Sequence, residues 1–221
     1  MIQHHVSDEL LLDHATGSLS EGWRIAVATH LALCPHCRSR LRTMEMAGGA
    51  LMAEDDPVEA EDDSWERLRA TLLDAEARRR PDTSAEPAVP GDRDIVLPEP
   101  LRSYLGGDVD SLKWKPLGLG AYHIPIATDD KTTTARLLRI PAGKPVPEHG
   151  HGGRELTLVL AGSFHDGEML FGRGDLEEAD QDLQHQPVAT PDQDCICLAV
   201  TDAPLRFRSR LLRLVQPLLG I

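Results

Sequence analysis

The sequence predicts two domains, an all-α domain of four short helices followed by an all-β domain with a jelly-roll barrel. Three observations predict this order. Helix-capping signals and apolar residues at helical spacing fill residues 1–80, prolines crowd a linker at 81–100, and short β-type runs broken by Gly and Pro fill 101–221. A chain of 221 residues is long enough for two domains.

The first two helices are predicted from their capping residues. A first helix is expected over residues 7–16, where Ser7 is a candidate N-cap and Gly17 a stop signal. Ser18 and Glu21 then have the spacing of a capping box, which predicts the start of a second helix at this point.

A proline and a second capping signature predict the next two helices. Pro35 fits the first turn of a helix but not its interior, so a third helix is expected from Pro35 to about Met52. Residues 54–63 hold seven acidic groups in ten positions and are expected to be a solvated loop. Asp63 and Glu66 repeat the capping signature and predict a fourth helix.

A cluster of metal-binding residue types lies between the second and third helices. His30, Cys34 and Cys37 are spaced by four and three residues. Zinc needs soft sulfur and nitrogen donors in a closed tetrahedron, and the pair His4 and His5 offers a fourth ligand. The sequence therefore predicts a structural Zn²⁺ site, with a buried or redox-active Cys-x-x-Cys as the alternative. A redox motif is expected within a βαβ pattern, which is not visible here.

The second half of the chain contains another set of candidate ligands. On a strand, His149 and His151 project from one face, and Glu155 can return to the same side from the next strand. Such donors hold Zn²⁺, Mn²⁺, Fe²⁺ or Ni²⁺, and we expect a second divalent metal here, with Zn²⁺ as our choice. The alternative is a metal-free barrel. The expected strands include Thr133–Ile140, Leu156–Leu160, Cys195–Val200 and Leu205–Phe207, with an amphipathic segment at 211–218.

Charge and composition limit the functions. A formal net charge of −13 argues against direct nucleic-acid binding, which depends on basic side chains. We find no basic segment followed by an apolar one at the start and no apolar run long enough to cross a bilayer, so a cytoplasmic protein without membrane partners is expected. The four cysteines form two close pairs, and Cys195 with Cys197 is read as small core residues or a redox-sensitive pair.

These motifs resemble a known family. The set of His30, Cys34 and Cys37 with a histidine near the start resembles the zinc-binding anti-sigma factor domain, and the opening His-His-Val-Ser is similar to its ChrR branch. The spacing from Gly143 to Gly162 resembles the first cupin motif. The resemblance implies that the Zn²⁺ ligands are His5, His30, Cys34 and Cys37, and that the cupin metal ligands are His149, His151, Glu155 and His185.

The resemblance also implies a function, which the residues suit. The helical domain is expected to bind an extracytoplasmic-function sigma factor in a 1:1 complex and to block its assembly with RNA polymerase. The cupin-like domain is expected to sense oxidative stress, and singlet oxygen in the known branch. Residues 1–80 hold 15 acidic and 9 basic side chains, which suits a basic promoter-binding partner. No catalytic residue is assigned.

The alternative function is a metal-dependent cupin enzyme, such as a dioxygenase, with a helical regulatory domain. Open positions on a His/His/Glu/His metal can activate oxygen or water. We find no separate acid–base set that supports this alternative. The two hypotheses differ in the role of the N-terminal zinc, which is indispensable to an anti-sigma factor and dispensable to the enzyme.

Overall fold

A computed structural model describes residues 1–56, 63–78 and 95–208. The chain divides into two compact units, which we call unit one, Met1–Glu45 with Val96–Ile221, and unit two, Met46–Ile95. These limits differ from the predicted domain boundaries at residues 80 and 100, which stay a prediction. Most of the predicted acidic loop and linker and the amphipathic segment at 211–218 lie outside the described residues.

Five helices occur in the part of the chain that the structure describes. They are α1 Asp8–Thr16, α2 Glu21–Leu33, α3 Pro35–Glu54, α4 Ser64–Arg78 and α5 Glu99–Leu105. The prediction for the first is confirmed. The Ser7 side chain accepts a hydrogen bond from the Leu10 N–H at 3.4 Å, and Gly17 ends the helix in the left-handed conformation at φ 73°.

The predicted start of the second helix is wrong by two residues. Its N-cap is Ser20, whose side chain makes no capping hydrogen bond. The Asp130 carboxylate, 109 residues further along the chain, accepts the hydrogen bond of the Glu21 N–H instead. A capping box cannot be recognised from spacing when a distant side chain supplies the cap.

Helix α5 begins at Glu99, within the last two residues of the predicted linker, whose limits stay a prediction. Pro98 is the N-cap, and a proline at the start of the helix is tolerated since its missing N–H would be unpaired there anyway. Leu97 and Leu101 are fully buried. This proline cluster therefore starts a short helix that packs into the core.

Twelve antiparallel strands in the described residues form three sheets. Six strands have the order β1-β2-β3-β11-β5-β8, and the two smaller sheets have the orders β10-β6-β7 and β12-β4-β9. The strands are β1 Lys115–Gly118, β2 Ala121–Ile126, β3 Thr134–Ile140, β4 His149–His151, β5 Glu155–Ala161, β6 Ser163–Asp166, β7 Met169–Gly172, β8 Leu176–Ala179, β9 Gln184–His185, β10 Val188–Ala189, β11 Cys195–Thr201 and β12 Leu205–Phe207. The expected β domain is confirmed.

The six-stranded sheet has two different buried faces. On β11, Ile196, Leu198 and Val200 belong to one core cluster with apolar residues of α1, α2 and α5. The alternate residues Cys195 and Cys197 face the other way, into the barrel. Helices therefore cover the outer face of the sheet, and helical and β residues share one hydrophobic core within unit one.

Gly22 shows how closely α2 approaches the sheet. A Cβ atom at this position would collide with the side-chain hydroxyl of Thr133 and would lie 3.0 Å from Cγ1 of Val200. Only a residue without a side chain fits such a contact. The second residue of α2 thus allows the helix to pack directly on β11.

Unit two has a different surface. Its described parts are the end of α3 and α4, and they carry large apolar side chains that are between 51% and 77% exposed. We call this set the α3–α4 apolar face; its members are Met46, Leu51, Met52, Trp65, Leu68, Leu72 and Leu73. Among the described residues, no helix combines the length and the apolar character that crossing a membrane requires.

Candidate metal centres

Four predicted zinc ligands come together where α2 meets α3. His30 lies in the last turn of α2, Cys34 is the C-cap of that helix, and Cys37 lies in the first turn of α3. His5 comes from the extended segment before α1. One nitrogen or sulfur atom from each residue lies within 4.8 Å of the other three, and all but His5 are fully buried.

The distances between these atoms fit a tetrahedral zinc ion. Nε2 of His30 lies 3.3 Å from Sγ of Cys37, and Nδ1 of His5 lies 3.4 Å from Sγ of Cys34 and 3.6 Å from Sγ of Cys37. Zinc bonded to nitrogen at about 2.0 Å and to sulfur at about 2.3 Å separates such pairs by about 3.5 Å in a tetrahedron. The four residues therefore fit Zn²⁺. The ring of His4 packs on Phe171 instead.

The protonation states at this cluster suit a metal rather than free thiolates. Burial lowers the pKa of His30 to about 4, so its imidazole is neutral and free to bind a metal at pH 7. The Cys37 N–H lies 3.4 Å from Cys34 Sγ, as expected at a helix start. Burial and the neighbouring Cys34 nevertheless raise the pKa of the Cys37 thiol, so without an ion the proton is retained. Zn²⁺ would displace it.

Strand β8 holds the segment that contributes His5, which we call the N-terminal arm, residues 2–7. Oδ1 of Asp175, just before β8, accepts hydrogen bonds from the His4 N–H at 2.9 Å and from the preceding N–H at 2.6 Å. Oε1 of Glu178 accepts one from the Ser7 N–H at 2.9 Å. Two carboxylates of the barrel thus fix the backbone on both sides of this candidate ligand.

Three histidines converge inside the barrel. His149 and His151 lie on β4, and His185 lies opposite them on β9. Nε2 of His185 is 3.1 Å from Nε2 of His151 and 3.2 Å from Nε2 of His149. Nitrogens that share one metal at about 2.0–2.1 Å are separated by about this distance. The three imidazoles therefore fit a divalent cation such as Zn²⁺.

The outer nitrogens of two of these rings have acceptors that orient them. Nδ1 of His149 donates to the Pro147 carbonyl at 2.8 Å, and Nδ1 of His185 donates to Oδ2 of Asp166 at 2.9 Å. A proton held on Nδ1 leaves the Nε2 lone pair free for a metal. Burial also lowers the pKa of His149, which favours the neutral, ligating form.

Glu155 lies beside this group but is not part of it. Its Oε2 atom is 3.5 Å from Nδ1 of His151, on the side of the ring that faces away from His185. Burial acts to raise the pKa of Glu155, but the hydrogen bond and charge of His151 outweigh it, so the pKa is lowered. The structure brings three of the four predicted ligands together, and the role of Glu155 as a ligand stays a prediction.

Sequence reasoning missed two acidic residues behind His185. Asp166 on β6 contacts its Nδ1, and Oε1 of Glu177 on β8 lies 3.8 Å from the same nitrogen. Burial and the neighbouring Asp166 raise the pKa of Glu177 to about 8. With His185 they form a third group of potential metal ligands. The only sequence signal is an acidic residue, Glu177, at a strand position whose side chain faces the interior of the barrel.

Two of the three barrel histidines, His149 and His185, lie in the wall of a cavity of about 430 Å³. Cys195 and Cys197 also line it, with their sulfur atoms 3.4 Å apart. Both thiols are buried, and the pKa of Cys197 is raised by its hydrogen bond to Cys195 and by burial. Cys197 is therefore a protonated thiol at neutral pH.

Comparison with known proteins gives matches over both parts of the chain. The model of the ChrR Cupin-like domain matches residues 104–204. The Anti-sigma-E factor ChrR of Cereibacter sphaeroides is 46% identical over 220 residues, which cover 100% of this chain and 99% of that protein. The crystal structure of Rhodobacter sphaeroides SigE in complex with the anti-sigma ChrR matches with a TM-score of 0.72 and 42% identity, over 91% of this chain and 100% of that one.

Proposed function

Since this chain belongs to the ChrR family of anti-sigma factors, we propose that it sequesters an extracytoplasmic-function sigma factor in a one-to-one complex and releases it under oxidative stress. Zinc maintains the helical part that holds the sigma factor. The cupin-like barrel, with its own divalent metal, senses the oxidant, for which we propose singlet oxygen. The protein acts in the cytoplasm by binding. The family role is regulatory and not enzymatic, which argues against the dioxygenase alternative.

The α3–α4 apolar face is the observation that carries this proposal. Several large apolar side chains that are exposed together on a helix indicate a site where a partner binds. On α4, Trp65, Leu68 and Leu72 lie at helical spacing on one side and are all more than half exposed. Trp and Met are enriched at the centres of protein interfaces, and the face contains both. We therefore assign this face to the sigma factor.

Charge supports the same assignment. The 15 acidic and 9 basic side chains of residues 1–80 give this part of the chain a negative balance. A sigma factor presents basic surfaces to promoter DNA, and opposite charge speeds association and selects the partner. An anti-sigma factor with this balance competes with DNA and polymerase for the same surfaces. Inhibition then needs no chemical reaction.

The role of zinc follows from the different elements that supply its candidate ligands. His30 and Cys37 belong to different helices, and His5 belongs to the arm before them. An ion that bonds all of them fixes the α2–α3 corner. Structural Zn²⁺ sites in small domains contribute binding free energy on the order of 10–16 kcal/mol. We therefore propose that the metal is required for the shape that the sigma factor recognises.

Strand β8 offers a route from the barrel to the zinc ligands. On its inner face Glu177 approaches His185, while Glu178 on its outer face and Asp175 just before the strand hold the N-terminal arm. An oxidation that changes the barrel metal or its ligands would shift β8. The N-terminal arm would shift with β8, and His5 would move because it belongs to the arm. We propose that this movement weakens the hold on the sigma factor.

The proposal is tested by co-expressing the full chain with the sigma factor of its own bacterium. We expect a 1:1 complex on size-exclusion chromatography with light scattering, loss of that complex after chelation, and release during illumination with a singlet-oxygen sensitiser. A complex that survives complete removal of zinc contradicts the role of the metal. A complex that illumination leaves intact contradicts the proposed signal, and failure to form a complex at all contradicts the anti-sigma function.

A further inference from the structure

The cavity inside the barrel is larger than a metal ion needs. Its volume of about 430 Å³ lies within the range of about 300–1,000 Å³ typical of small-molecule sites. All three sheets contribute to its wall, which is mostly apolar. Its apolar members include Leu117, Leu138, Ile140, Phe164, Leu205 and Phe207. A wall of this kind favours an aliphatic ligand, because burying apolar surface provides the free energy of binding.

One polar atom in this wall makes no hydrogen bond to any described residue, and Nδ1 of His185 lies 3.8 Å from it. This atom is Oε1 of Glu177, a residue that is only 7% exposed. Within the described part of the chain, Oε1 is buried and makes no hydrogen bond. A buried carboxyl oxygen without a hydrogen bond is unfavourable, because it has lost its contacts with water and gained none in exchange. Glu177 lines the cavity together with His149 and His185. A ligand with one oxygen atom at this end would satisfy Glu177 while its apolar part fills the rest of the cavity.

We propose that the barrel binds a neutral aliphatic molecule with a single hydroxyl group, and that the hydroxyl pairs with Oε1 of Glu177. A hydroxyl both donates and accepts, so it pairs with either form of a carboxyl group. An anionic head group is less suitable because Glu155 also lines the cavity. This inference goes beyond sigma binding and does not depend on it.

The entrance has the same apolar character. Leu119 lies in the turn between β1 and β2, lines the cavity, and is 74% exposed. It is the one non-glycine residue in the described ranges with a positive φ, at 54°. Such a conformation costs a leucine free energy, and an exposed leucine gains nothing from burial. Contact with an entering aliphatic chain gives this side chain a role.

The test is calorimetric titration of the intact, metal-loaded chain with 1-octanol and with sodium octanoate. We expect saturable binding of one 1-octanol per chain and at least tenfold weaker binding of octanoate. Ala199→Phe, which fills the cavity from β11, should weaken 1-octanol binding at least tenfold. Glu177→Leu removes the proposed hydroxyl partner and should weaken it by a similar factor.

Two exposed leucines provide variants that should fold normally, so a change in binding can be attributed to the cavity. Leu119→Asp at the entrance should weaken 1-octanol binding at least threefold, while Leu170→Asp on β7, equally a surface leucine but not part of the cavity wall, should leave it unchanged. Absence of saturable 1-octanol binding overturns the proposal. So does octanoate binding as tight as that of 1-octanol, or equal affinity in the wild type and Leu119→Asp.

Discussion

The backbone N–H of His4 donates a hydrogen bond of 2.9 Å to Oδ1 of Asp175, a residue 171 positions away in the sequence. This bond joins the segment beside a candidate zinc ligand to the strand beside the barrel histidines. It also means that the helical and β parts are linked by charged hydrogen bonds as well as by a shared core within unit one. The first prediction tests this link.

Releasing the N-terminal arm should weaken zinc binding at the helical site. Glu178→Ala removes the acceptor of the Ser7 N–H, and a hydrogen bond to a charged group contributes about 1.5–3 kcal/mol. We expect the zinc affinity of this site to fall roughly tenfold, since about 1.4 kcal/mol corresponds to a factor of ten. Competition with a chromogenic chelator measures it. Glu168→Ala, an exposed acid in the turn before β7, is the control, and equal affinities in both variants would contradict the link.

Gly22→Ala should destabilise the protein because α2 packs directly on β11. The added methyl group would meet Thr133 and Val200, and overpacking of this kind costs about 1–3 kcal/mol. Gly48→Ala in α3 is the matched control, since nothing lies within 4 Å of its Cβ position. That change should be neutral or stabilise by up to about 1 kcal/mol through helix propensity. Urea denaturation measures the free energy of unfolding of both variants, and equal values would contradict the close packing of α2 on β11.

A charge on the α3–α4 apolar face should abolish capture of the sigma factor. Leu68→Asp places a carboxylate at the centre of the exposed side of α4, and central apolar residues dominate interface energies, with losses of about 2 kcal/mol or more. The fold should be unaffected because the side chain is exposed. Leu170→Asp on β7 is the control. Surface plasmon resonance measures the affinity of each variant for the sigma factor. An affinity that falls equally in both variants, or in neither, would exclude this face as the binding surface.

Removal of a zinc ligand should destroy both structure and binding, whereas a thiol in the barrel should not matter for binding. Cys34→Ala leaves three donors, so we expect loss of zinc, a lower melting temperature and no complex with the sigma factor. Cys197→Ala changes a thiol of equal burial outside the zinc cluster and should cost only about 1 kcal/mol of stability. Metal analysis measures the zinc content of each variant, and a pull-down measures its binding to the sigma factor. A Cys34→Ala protein that still captures the sigma factor refutes the role of zinc.

One surface ion pair predicts a modest pH dependence. The hydrogen bond from Arg139 lowers the pKa of Asp194, and the guanidinium lies 2.7 Å from its carboxylate. A lowered folded-state pKa means stability that is complete above the unfolded value of about 3.9 and is lost as the pH falls through the folded value. Asp194→Asn should therefore reduce the free energy of unfolding by up to about 1 kcal/mol at pH 7. The difference from wild type should shrink between pH 5 and pH 3, and a difference that grows in acid would contradict the assignment.

Local signals in the sequence predicted the elements whose stabilising contacts are local. The first helix has its N-cap Ser7 and its stop Gly17 within the same eleven residues, and both behave as expected. The start of α2 was misplaced because its cap, Asp130, comes from the loop between β2 and β3. The packing of α1 and α2 on the six-stranded sheet could not be predicted, because an apolar helix face does not identify the surface that it covers.

The same distinction applies to the metal centres. His30, Cys34 and Cys37 are neighbours in the sequence, so spacing alone indicated a site. His185 entered through family resemblance, and the structure brings it to the other two imidazoles. Asp166 was missed since it lies on a separate strand, with no spacing rule that connects it to a histidine 19 residues away.

The contact between His4 and Asp175 has a consequence for biosynthesis. The first helices leave the ribosome long before β8 and β11 exist, and at about 5–20 residues per second the interval is roughly 10–30 s. During that time the leucines of α1 and α2 that belong to the shared core have no strands to cover them. Until Asp175 and Glu178 have been synthesised, the N-terminal arm lacks the carboxylates that hold it, so we expect it to reach its native position only when most of the chain has been translated.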